Sequence, residues 1–116
     1  MVYILTSNDE LQELNIRLTA EIQGLEKEIN QQHSPTFNGI IERKIELINN
    51  TLDMIESNPN ITIQELADLI DYRIDGEERE LDDATTVFET DRIFNEIRIL
   101  EWIRFTVRKV GQLLLM

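Results

Sequence analysis

The chain has 116 residues and carries 23 acidic against 11 basic side chains, a formal charge of −12, with no cysteine. Such a charge excludes attraction to nucleic acid or to anionic membranes as a whole-molecule property. The lack of cysteine excludes disulfides, thiol chemistry and Cys-ligated zinc or iron–sulfur sites. Four Gly and two Pro favour long helices over strands and turns, and the length suits a single acidic domain over 1–116.

Val2 to Thr6 reads as a short extended segment. Ser7-Asn8-Asp9-Glu10 matches a capping box, and Leu11, Leu14, Leu18, Ile22, Leu25 and Ile29 follow at helical spacing. A first helix is therefore expected to about Gln31, broken by the QQHSP stretch. His33, the only histidine, falls in that break and reads as a solvated turn residue. Ser34-Pro35 opens a second helix with Pro in its first turn. Ile41, Ile45, Ile48, Leu52 and Ile55 form its stripe, and Asn58-Pro59-Asn60 stops it. A short link between two long helices predicts an antiparallel hairpin.

Thr62-Ile63-Gln64-Glu65 is a second capping box and predicts a short helix through Ala67, Leu69 and Ile70. Asp75-Gly76 reads as a break, followed by an acidic loop. Thr86-Val87-Phe88-Glu89 is a third capping box, with the last helix starting between Asp83 and Thr90. Ile93, Ile97, Leu100, Ile103, Val107, Val110 and Leu114 make its stripe. Ile99, Trp102 and Phe105 lie off that stripe, which predicts either a central helix or a subunit contact. We take these three as the candidate interface of a homodimer. The LLLM end is expected to pack on the N-terminal VYIL segment or on a partner. The fold expected is all-α, a four-helix bundle-like domain with short extended N- and C-terminal segments.

The acid is concentrated. Between Asp53 and Arg92 lie 13 acidic and three basic residues, and Asp75 to Asp83 holds six acids in nine positions. Asp75, Glu77, Glu78, Glu80, Asp82 and Asp83 are therefore the candidate surface for a protein partner with a basic face. No apolar run is long enough to span a membrane, and the opening residues lack the character of a secretory signal, so a cytoplasmic protein is expected.

Asp71 to Asp82 has the length of an EF-hand loop, but Arg73 and Glu78 occupy positions that call for an oxygen donor and an aliphatic residue. The run from Ile55 to Ile70 resembles the first two helices of a winged helix-turn-helix domain. That likeness implies a recognition helix soon after. Here some fourteen mostly polar residues intervene, and the reading face would carry Glu89 and Asp91, which phosphates repel. No direct nucleic-acid binding is expected.

Glu42, Glu46, Glu65 and Asp68 match by position the carboxylate motif of MazG-type nucleotide pyrophosphohydrolases. The resemblance implies an all-helical fold and Mg²⁺ held against the phosphates of a nucleoside triphosphate. Arg43 stands where that family has a further Glu, and a cation there opposes the metal. The expectation is therefore no enzyme activity, no metal and no cofactor. The leading reading is a non-enzymatic interaction module, an acidic inhibitor or decoy mimicking nucleic acid. In charge and size it is similar to small phage and mobile-element inhibitors. The alternatives are a degenerate MazG-like pyrophosphohydrolase and a structural subunit that the acid merely solubilises.

Overall fold

A computed structural model describes residues 7–31 and 34–113. The described residues form four helices: α1 (Ser7–Ile29), α2 (Pro35–Ser57), α3 (Ile63–Asp83) and α4 (Val87–Leu113). The all-α, bundle-like expectation is met. The extended ends, the packing of the LLLM terminus and His33 lie outside the described residues.

Local chemistry sets the helix boundaries. The Ser34 hydroxyl accepts from the Phe37 amide at 3.2 Å, with Pro35 in the first turn of α2. Asn58 closes α2 by donating from its backbone and side chain to the Met54 carbonyl. Thr62 Oγ1 accepts from the Glu65 amide at 3.1 Å and opens α3. Thr86 Oγ1 accepts from the Glu89 amide at 3.1 Å and opens α4. The Glu89 carboxylate reaches the Thr85 amide, at 3.4 Å, one residue short of a reciprocal box.

One expectation is overturned. α3 does not stop at Asp75-Gly76 but runs on to Asp83, so the acidic segment is helix and not loop. A mid-helix Gly costs only about 1 kcal/mol relative to Ala. Around it, Glu, Arg and Leu are good helix formers. The inward stripe Ile63, Leu66, Ala67, Ile70 and Ile74 continues through half-buried Glu77 and Leu81, so each further turn keeps a packed side. The same continuity removes the EF-hand reading, because Asp71 to Asp82 is helical throughout.

α3 and α4 form a close antiparallel hairpin. Asp71 meets Arg104, Glu77 meets Glu96, and Ile63 lies against Gly111. α1 and α2 form the second hairpin, with Lys44 bonded to Glu21 at 3.1 Å. α1 and α4 each touch the three other helices, whereas α2 and α3 do not touch one another. The expected stripes fill the core: Leu11, Leu14, Leu18, Ile22 and Leu25 from α1, and Ile93, Ile97, Leu100, Ile103, Val107 and Val110 from α4. α2 supplies Ile41, Ile48 and Ile55 as expected, with Ile45 and Leu52 half-buried. It adds Leu47 and Thr51, whose hydroxyl is satisfied by the Leu47 carbonyl at 3.1 Å. No described helix is long and apolar enough to cross a membrane.

Candidate interaction surfaces

Making the acidic segment helical redistributes its charges. Asp75, Glu78, Glu80, Asp82 and Asp83 are exposed, whereas Glu77 is half-buried and faces α4. At about 100° per residue, Asp75, Asp82 and Asp83 share the outer side of α3 around Arg79, while Glu78 and Glu80 lie on opposite flanks. Among the described residues, none of the five exposed acids has an ion-pair partner. Asp71, one turn before them, differs. Its two oxygens accept from Arg104 at 2.8 Å and Arg108 at 2.9 Å, which ties the basic part of α4 to α3.

Glu77 belongs to an inward cluster that the sequence reading did not identify. Glu96 is a charged side chain in the core, only 4 % exposed. One of its oxygens accepts from Arg43 Nε at 2.9 Å and lies 3.5 Å from the Arg92 guanidinium. Arg43 also reaches Glu46 at 2.9 Å. Burial lowers the affinity of the Arg43 guanidinium for its proton, but the bonds to Glu46 and Glu96 outweigh this and leave its pKa raised. Burial pushes Glu96 upward, but its bonds to Glu77 and Arg43 and the nearby guanidinium charges hold it below the ordinary carboxylate value. Burial, then the bond to Glu96 and the charges of Glu96 and Glu80, push Glu77 to about 7. Glu77 Oε2 is buried without a donor in reach among the described residues. Two carboxyls this close are satisfied when Glu77 holds the proton and donates it to ionised Glu96. The sequence signal was available: Glu96 sits at a core step, three after Ile93 and four before Leu100.

Arg43 therefore serves as the counter-ion of a core carboxylate. The four residues of the pyrophosphohydrolase-like motif are not brought together. Glu42 and Glu46 lie on α2, Glu65 and Asp68 on α3, and those two helices are not in contact. Glu65 is engaged at the α3 start with Thr62, and Asp68 accepts from Gln64 at 2.9 Å. No group of three or more metal-ligating side chains that could hold a metal occurs among the described residues.

The three residues expected at a subunit contact separate as well. Ile99 is part of the core. Trp102 is half-buried and covered by Lys44, whose Nζ lies 4.3 Å from the ring centroid. Phe105 is 62 % exposed. An open groove of about 620 Å³ runs between α2 and α4 past Ile40, Arg43, Phe88 and Glu96. No family model, curated protein or solved structure matches this chain.

Proposed function

We propose that this protein is a non-enzymatic interaction module. It offers the acidic outer surface of α3 to a basic surface on another protein, as an inhibitor or decoy competing with nucleic acid there. The observation that carries this reading is the position of Glu80, Asp82 and Asp83 in the last turn of α3. Unsatisfied carbonyls make that end of a helix negative, so each acid there is unfavourable by about 0.3–1 kcal/mol. Lys or Arg is the favoured choice at such positions; α2 and α4 also lack a base in their last turns, but only α3 among the described helices places three acids there. Exposed, unpaired acid placed against the helix's own field favours a role in meeting an external cation.

The test begins with a partner captured from the native host and purified. Association is then timed at about 50 and 300 mM salt, a range over which screening shortens the reach of exposed charges from about 14 to about 6 Å. Reversal of Asp75, Glu78, Glu80, Asp82 and Asp83 to Lys should slow association at least about tenfold while changing dissociation little. DNA should compete with the wild type. A rate that ignores both salt and charge reversal would leave the acid as the solubilising coat of a structural subunit.

A further inference from the structure

α4 uses one side to close the core, and its opposite side is left bare by the described residues. Along that bare side Val87, Phe94, Arg98, Glu101, Phe105 and Gln112 follow at steps of 7, 4, 3, 4 and 7, which places them on one stripe. All six are exposed, Val87 at 78 % and Phe94 at 47 %. Arg98 and Glu101 have no ion-pair partner among the described residues, although nearby Arg104 and Arg108 are both held by Asp71. Two exposed aromatics thus bracket one unpaired cation and one unpaired anion.

The steps read the same from either end. A two-fold axis crossing α4 midway between Arg98 and Glu101 therefore lays the stripe back on itself. Phe94 falls opposite Phe105 of a second copy, and Arg98 opposite Glu101 of that copy. Opposite charges meet at the centre, and aromatic meets aromatic on either side. Asp91 and Lys109 share one flank of the stripe, and the same axis brings them near each other. Lys109 already leans over it, 5.7 Å from the Phe105 ring centroid. Other arrangements lose this match: a parallel pair, or a slide of three residues, sets Arg98 against its own copy. We infer that the bare side of α4 is a homodimer contact, formed by an antiparallel two-fold pairing of α4 helices centred between Arg98 and Glu101.

Of the three interface residues expected from sequence, only Phe105 lies on this face. The contact shares no residue with the acidic α3 positions, so it stands or falls apart from the proposed function. One helix pair about 40 Å long buries less than a large obligate interface, so a micromolar dimer is expected.

Sedimentation velocity from about 1 to 300 µM, spanning that affinity range, should show wild type passing from monomer to dimer. Arg98→Glu alone and Glu101→Arg alone should each weaken the dimer about tenfold or more, since each sets like charges together twice. The double swap should restore wild-type affinity to within about threefold, because the pairing is reciprocal. Circular dichroism of each variant confirms that α4 still folds. The cysteine-free chain allows a second measurement. Under oxidising conditions Phe94→Cys should cross-link to Phe105→Cys in a mixture. Neither should link to its own kind, because like residues lie about 16 Å apart along the axis, beyond the roughly 7 Å a disulfide spans between Cα atoms. A wild type monomeric throughout, a double swap that stays dissociated, or cross-links between like residues would each overturn the inference.

Discussion

At the scale of single residues, identity misleads where environment decides. Gly76 read as a helix breaker, yet it sits on the solvent side of α3 with nothing within 4 Å of where a Cβ would project. Gly111 attracts no notice in the sequence, yet a Cβ there would meet Ile63 Cγ2 at 3.0 Å, where α3 and α4 approach closely. The two positions should therefore respond oppositely to alanine. Gly76→Ala should stabilise by about 1 kcal/mol, or about 4 °C in thermal midpoint for a domain of this size. Gly111→Ala should lower the midpoint, because Ile63 must move within a packed core. Thermal unfolding of the two variants beside wild type checks both signs. Arg43 makes the same point. By motif it was a misplaced cation, whereas in the fold it neutralises Glu96, a partner 53 positions away that no local pattern contains. Removing one side of such a pair strands a buried charge, so the pair holds α2 to α4 more by necessity than by surplus stability.

At the scale of elements, the helices were legible where apolar spacing and caps agreed. Ser34, Thr62 and Thr86 each cap as their local sequence predicts, and the core stripes of α1 and α4 appear as spaced. The length of α3 was not legible, because its inward stripe passes through Glu77, a polar residue that hides the continuing period. That residue makes the α3–α4 contact sensitive to pH. With its native pKa raised to about 7 from the ordinary 4.5, Glu77 keeps a proton that the unfolded chain releases. Stability therefore falls as pH rises from 4.5 to 7, and the whole penalty is present above 7. Glu96 has the opposite sign: its depressed pKa contributes stability that disappears as pH falls through that lowered value. The pair is most favourable between those two limits. The thermal midpoint of wild type should fall between pH 6 and 8. Glu77→Gln should flatten the fall and exceed wild type at pH 8, because a neutral amide donates to Glu96 without losing a proton. An equal fall in the variant would assign the effect to the net charge of −12 instead.

At the scale of the whole molecule, the helices sort the charge. α3 carries nine acids and two bases, while α4 carries four acids and five bases. Asp71 joins the two through Arg104 and Arg108, Glu77 turns inward to Glu96, and the other five acids of the α3 C-terminal half point outward without a counter-ion among the described residues. The sequence showed how much acid there was and where it lay along the chain. It did not show its direction, which depends on α3 remaining helical past Gly76. Nor did it show that α2 and α3 lie on opposite sides of the α1–α4 pair, which keeps apart the carboxylates that a metal-holding motif would gather. If the last-turn acid of α3 is held for a partner and against the helix, removing it must strengthen the fold. The measurement is the thermal midpoint of Glu80→Gln/Asp82→Asn/Asp83→Asn beside wild type at about 20 mM salt, where screening is weakest. Relief at the helix end amounts to about 1–3 kcal/mol for three charges, so the midpoint should rise by several degrees. An unchanged or lower midpoint would mean that these carboxylates serve the fold itself, and would contradict the role assigned to the acidic surface.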